Sequence, residues 1–263
     1  MKARDVIDML EAQSSWVDWS HTRDMVLAGD PEREVQRVGV TWVATMACLR
    51  EARERNVDLL ISHENPLYAP TTQPYRIAYT ARQRKLRLIQ DAGLVVYRCH
   101  DVWDKIPAVG VADQWARVLG LSCTREVSSY IQHATVEDTT VHDLARRCAA
   151  ALAPYGEDAV WVIGDLDARV RTIGLGTGAA TDIFRMLAEP CDVCIVADDG
   201  ITNFHDVQFA LDVGVPLIIV NHACCEKPGI DAMVTWLGQR CRGAGVEVVR
   251  LDEGYTMHAV VAA

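Results

Sequence analysis

The chain lacks any run approaching the roughly 18 consecutive apolar residues of a membrane-spanning helix. Its opening stretch, MKARDVIDMLEAQ, reads as the start of an amphipathic helix and not as a secretory signal. Positive charge is also short: 26 Lys and Arg face 36 Asp and Glu, a formal net charge of −10. That balance argues against a protein that grips a phosphate backbone, so no nucleic-acid partner is expected. Basic residues do gather in ARQRKLRLIQ (81–90), but Leu86 and Leu88 interleave with them, as on the solvated face of an amphipathic helix. Low-complexity segments and long linkers are absent. Cysteine is not scarce, yet its nine residues are an odd number without secretory marks, and Cys48, Cys148 and Cys241 sit in apolar surroundings. They read as reduced thiols of a cytoplasmic protein. Cys191 and Cys194 form a C-x-x-C with no second pair nearby to complete a structural zinc site; within CDVCIV they read as packing.

What the chain has is 50% hydrophobic and 24% charged residues over 263 positions, ample for a core. Apolar strand-like runs alternate with helical patterns. Strands are expected at 38–44, 57–62, 93–99, 160–165, 169–176, 192–197, 216–221 and 246–251. Those at 160–165 and 169–176 are expected to pair across a tight turn at Asp165–Asp167. Helices are expected after residue 44 and at 76–91, 109–120, 140–153 (capped by Thr140), 179–188, 204–213 and 230–242. Residues 121–139 carry short β-like pieces. Continuous apolar strands separated by helices mean an α/β fold with mixed or largely parallel sheets. Because the pattern occurs twice, two facing layered α/β halves are expected, with a site in a cleft between them: 1–125 plus 240–263, and 126–239.

Ligands of open α/β sheets bind beyond the carboxyl ends of the strands. Four strands here end in His and carboxylate residues: His63-Glu64; His100-Asp101-Val102-Trp103-Asp104; Asp198-Asp199; and His222-Ala223-Cys224-Cys225-Glu226. Imidazole nitrogen and carboxylate oxygen together are metal chemistry, and two adjacent ions can clamp a phosphate or polarise a water. Each element has a plainer reading. A lone His after a strand is usually structural, and Asp198 or Asp199 can simply cap the next helix. The argument rests on their conjunction at successive strand ends. His21, His133, His142, His205 and His258 are left as ordinary histidines.

The motifs HENPLY (63–68), HDVWDKIPAVGVADQWARVLGL (100–121) and NHACCE (221–226) occur in an order and separation that resemble the Nif-three-like dinuclear-metal family, the type 2 GTP cyclohydrolase I homologues. The resemblance covers most of the chain and marks a divergent member. It implies His63, Asp104, His222 and Glu226 as metal ligands, with Glu64 at the position of the family's second His and His100 beside the site in a second shell. Asn65 stands as an extra residue before Pro66, and Asn221 replaces a Gly. The resemblance further implies a hexameric ring and one or two divalent ions per chain, of the Zn, Mn, Fe or Co type. The activity it implies is that of a metal-dependent hydrolase on a small phosphorylated or nucleotide-like substrate, with Glu64 or Asp199 as base. The alternatives are a non-catalytic metal-binding or regulatory protein, and a metal-free nucleotide-binding domain built on the glycine loop IGLGTGAA (173–180).

Overall fold

The computed structural model describes residues 1–68, 74–201 and 204–260. The chain divides into two compact units, Met1–Ile106 with Ile230–Gly254, and Pro107–Gly229 with Tyr255–Ala263. The first unit opens with α1 (Ala3–Glu11), β1 (Met25–Ala28), β2 (Arg37–Thr41), α2 (Met46–Glu54), β3 (Leu59–Ser62), α3 (Arg76–Asp91), β4 (Val95–Arg98) and α4 (Asp101–Lys105). The second holds α5 (Val111–Val118), β5 (Cys123–Thr124), β6 (Gln132–Thr140), α6 (Val141–Leu152), β7 (Trp161–Ile163), β8 (Arg169–Leu175), α7 (Ile183–Met186), β9 (Val193–Ala197), α8 (Phe204–Asp212) and β10 (Leu217–Val220). Helix α9 (His222–Cys241) carries the division at Gly229/Ile230, and β11 (Glu247–Arg250) returns the chain to the first unit.

Each unit is built on one mixed sheet. The first has the order β1-β4-β3-β2-β11; its last four strands run parallel and β1 pairs antiparallel at the edge. The second has the order β5-β6-β8-β9-β10-β7, with β8, β9 and β10 parallel and the rest antiparallel. The parallel strands are apolar because helices cover both faces of such a sheet. All four residues of β3 and all five of β9 are buried. In the first unit Leu60, Val96, Leu49, Ala52, Ile89 and Leu251 pack as one cluster. In the second, Val170, Ile173, Ile195 and Ile218 pack against Leu144 and Cys148 of α6. Fully burying one such aliphatic side chain contributes roughly 1.5–3 kcal/mol.

Four expectations change. The strands at 160–165 and 169–176 do not form a hairpin: β7 pairs with β10 (Leu217↔Ile163), while β8 lies between β6 and β9. The nine-residue β6 takes one hydrogen-bonding edge of β8 and parallel β9 takes the other, so no edge remains for β7. A helix over 179–188 is replaced by a 3₁₀ turn at Gly178–Ala180 and the four-residue α7. Helix α9 starts at His222 and runs through Pro228-Gly229, where a helix start at 230 was expected. Gly229 is there for close packing: a Cβ on it would stand 2.6 Å from Val111 Cα. That contact, with Gln132 Nε2 donating to the Ala112 carbonyl at 2.7 Å, draws α5 into the second unit and moves the boundary from 125/126 to 106/107.

Candidate functional site

In the first unit the site is built where parallel strands β3 and β4 end. Their register sets Ser62 opposite Arg98, so His63 and Cys99 leave the sheet side by side. His63 is fully buried, and its Nδ1 lies 2.9 Å from the Cys99 carbonyl oxygen, to which it donates. That bond commits Nδ1 and leaves Nε2 as the atom a neutral His63 would offer a metal, the ring orientation metal-binding imidazoles adopt. Nε2 points to Asp104 Oδ1 at 3.2 Å. Asp104 reaches it because α4 begins two residues beyond the end of β4, after Cys99 and His100, and carries the carboxylate one turn from His100.

His100 stacks on His63, with ring centroids 4.7 Å apart and planes 5° from parallel. Its Nδ1 lies 3.0 Å from both Asp101 Oδ1 and Asp104 Oδ2, and its Nε2 lies 3.4 Å from Glu64 Oε1. Asp104 Oδ2 is buried and close to that nitrogen, yet makes no hydrogen bond of acceptable angle. Arg98 closes the group, donating to Glu64 Oε2 at 2.8 Å and to the His63 carbonyl at 3.3 Å. Burial lowers the pKa of His100, but Asp104, Asp101 and Glu64 outweigh it and hold the imidazolium well above the ordinary histidine value. Burial raises Asp104 and Glu64; His100 and His63 outweigh it for both, with Arg98 adding to the effect on Glu64, so both carboxyls fall well below their usual range. One atom from each of His63, His100 and Asp104 lies within 4.8 Å of the others, a grouping able to hold an ion.

In the second unit the site forms at the end of β10. His222 and Glu226 share one face of α9 at i, i+4, and His222 Nε2 lies 3.0 Å from Glu226 Oε1. His222 Nδ1 lies 2.7 Å from Asp199 Oδ2. Burial lowers the His222 pKa, but Glu226 and Asp199 push it up to about 11. The helix start is pinned. Asn221 Oδ1 accepts the Cys224 N–H, Asp198 Oδ1 accepts the His222 N–H, and Asn221 Nδ2 donates to Asp198 Oδ2 at 2.8 Å. Buried Glu157 takes the Asn221 N–H on both oxygens at 2.9 Å. Gly178 (φ +58°) lies against the pair: a Cβ there would stand 2.4 Å from Glu226 Oε1 and 2.8 Å from His222 Nε2.

Two chemistries follow for the sequence-predicted residues. Within the first unit His63, Glu64, His100 and Asp104 converge; within the second His222, Glu226 and Asp199 do. His100 is more than a bystander, since it belongs to the same donor group as His63 and Asp104. Asp198 and Asp199 serve the start of α9 and His222. The glycine loop does not lead into a helix able to receive a phosphate. Its Gly178 is needed because His222 and Glu226 fill the space of a side chain. Sequence reasoning missed Asp24, which accepts the His100 N–H at 2.7 Å, and also Arg98 and Glu157. None carries a local signal, because each acts on a partner far along the chain.

The profile of Duf34/NIF3 (NGG1p interacting factor 3) matches residues 1–254. The chain belongs to the Duf34/NIF3 family. It is 25% identical over 213 residues to a GTP cyclohydrolase 1 type 2 homolog of Halobacterium salinarum, covering 78% of this chain and 81% of that protein. A homolog of the same description from Clostridium acetobutylicum is 23% identical, covering 79% and 78%. Among solved structures, a Bacillus cereus protein related to NIF3 superposes with a TM-score of 0.82 at 13% identity, covering 100% of this chain and 99% of that one. A Staphylococcus aureus hypothetical protein gives 0.80 at 18%, covering 99% of both. These superpositions establish the NIF3 fold. Among the described residues no helix is long and apolar enough to cross a membrane.

The divalent ion that NIF3 membership implies fits the side chains present. Two imidazoles and a buried carboxylate converge in the first unit, with one carboxylate oxygen left without an aligned donor. In the second, His222 and Glu226 offer one nitrogen and one oxygen 3.0 Å apart on the same face of α9.

Proposed function

We propose that this NIF3 protein is a metal-dependent hydrolase acting on a small phosphorylated or nucleotide-like molecule. The observation that carries the reading is the clamp on His63: its Nδ1 is committed to the Cys99 carbonyl, so its Nε2 is set toward Asp104 within a buried pair. His63 and Asp104, with His100 or Glu64, are the ligands assigned in the first unit, and His222 and Glu226 those in the second. These residues would hold a divalent ion of the Zn, Mn, Fe or Co type, which when bound would supply Lewis acidity toward a phosphoryl oxygen and a water. The chain's own contribution is orientation. Cys99 and Asp199 fix the two imidazoles, and Arg98 holds Glu64.

Asp199, with half its side chain exposed and 2.7 Å from His222 Nδ1, is the group assigned to proton transfer. Glu64 is the weaker assignment for that role, because Arg98 and His100 already engage its oxygens. The relatives described as GTP cyclohydrolase 1 type 2 homologs support a nucleotide-like substrate.

The test is a phosphoester and nucleotide panel assayed with the native protein, the chelated protein and the protein resupplied with each ion. Turnover lost on chelation and restored by one ion supports the hydrolase. Full metal content with no turnover on any substrate overturns it in favour of a non-catalytic metal-binding protein. The hexameric assembly implied by the resemblance is part of the same proposal, and sedimentation equilibrium of the native protein checks it.

A further inference from the structure

Cys191 and Cys194 stand at the start of β9 with their Sγ atoms 3.5 Å apart. Both are buried, in the same apolar cluster as Met186. On the neighbouring strand, Gly174 offers them no side chain. A Cβ at Gly174 would stand 3.2 Å from Cys191 Sγ, 3.3 Å from Met186 Cε and 3.4 Å from Cys194 Sγ. Two thiol sulfurs and the terminal methyl of Met186 therefore pack together against the bare backbone of Gly174.

These thiols differ from the chain's other buried ones. Burial pushes Cys48 and Cys148 up to about 12, as for inert core thiols. At Cys191 the Cys194 thiol is the largest influence, and with the Gly174 and Val193 backbone N–H groups it outweighs burial and lowers the pKa. Hydrogen bonds from backbone N–H to sulfur favour the thiolate, the form that binds metal. Cys194, the other member of the pair, is raised by the Cys191 thiol and by burial. A surface cavity of about 590 Å³ is lined by Ile131, His133, Ala188 and Glu189 among others. Glu189 lies two residues before Cys191, and His133 is the cross-strand partner of Gly174.

We propose that Cys191, Cys194 and Met186 form a binding site for a soft, thiophilic monovalent cation of the Cu(I) class. Thiolate and thioether sulfur select such an ion, whereas His and carboxylate clusters suit harder divalent ions. Three sulfur ligands without imidazole or further thiolates fall short of the four-ligand zinc site. Binding transfers no electrons: the ion stays Cu(I), and each thiol that becomes a ligand releases its proton to solvent.

The experiment is an anaerobic titration of the full chain with Cu(I) against a chromophoric Cu(I) chelator. One equivalent is expected to leave the competitor. Cys191→Ser with Cys194→Ser should abolish that equivalent, Met186→Leu should weaken it at least tenfold, and Cys224→Ser with Cys225→Ser should leave it unchanged. The divalent metal content should stay the same throughout. Copper K-edge absorption of the wild-type complex, expected to show sulfur neighbours only, decides the matter even if the double variant does not fold. No competition by the wild type, equal binding by the folded Cys191/Cys194 variant, nitrogen or oxygen neighbours at copper, or a Cys191–Cys194 disulfide in anaerobically purified protein would each overturn the proposal.

Discussion

His63 illustrates how a single residue's role is set by its surroundings. The imidazole is fully buried, its Nδ1 is used by the Cys99 carbonyl and its Nε2 faces Asp104. His63→Ala is expected to lose most bound metal while the far-ultraviolet circular dichroism stays unchanged, because the ring lies beyond β3 and not inside the apolar cluster. An unfolded variant would instead make His63 a packing residue. The grouping of His63 with Asp104 and of His222 with Glu226 just beyond strand ends was legible because strand ends in an α/β chain can be located from apolar runs. Glu157 was not, since its role comes from a bond to Asn221, 64 positions away. Burial, and then Asp198, push its carboxyl up to about 7, against the Asn221 N–H bonds that favour the charged form. The folded protein therefore binds a proton at Glu157 that the unfolded chain has released, so this group's contribution to stability falls as pH rises from about 4.5 to 7 and is flat above. Urea unfolding of Glu157→Gln across that range is expected to show a shallower slope than the wild type; identical slopes would remove Glu157 from the account.

At the scale of elements, loop and helix fit together around the second cluster. Gly178 is the tightest point, with a left-handed backbone and no room for a Cβ beside Glu226 and His222. Gly178→Ala is expected to displace that pair and reduce metal content, while Gly214→Ala, with nothing within 4 Å of its Cβ position, should cost only the backbone strain of its positive φ. Element types were mostly readable from periodicity and caps. The Thr140 side chain accepts the Asp143 N–H, as the sequence predicts. Thr140→Ala should lower stability by about 1 kcal/mol in denaturant unfolding. What failed was pairing and helix extent. A tight turn between two apolar strands signals a hairpin locally, but strand order is decided by which edges are free, and that depends on distant β6 and β9. Pro228-Gly229 signals a break locally, but the close approach of Val111 explains the glycine and the helix continues.

At the scale of the whole molecule, the chain is a NIF3-family protein with two mixed-sheet units, each ending strands in a His and carboxylate cluster. The family was legible because three motifs recur in order across most of the chain. The division at 106/107 was not, because it depends on contacts made by α5 that no local pattern reveals. A ligand bound only by the folded state raises apparent stability with its concentration. The melting temperature of the native protein is therefore expected to fall on chelation and to recover on adding back one divalent ion, whereas His63→Ala should respond less. The most direct test of the central claim, that these clusters hold divalent metal, is elemental analysis of purified native protein, reported as ions per chain. The account predicts one to two equivalents of a first-row divalent metal, reduced in both His63→Ala and His222→Ala. Retention of none, even after soaking with Mn, Zn, Fe or Co and desalting, would contradict it.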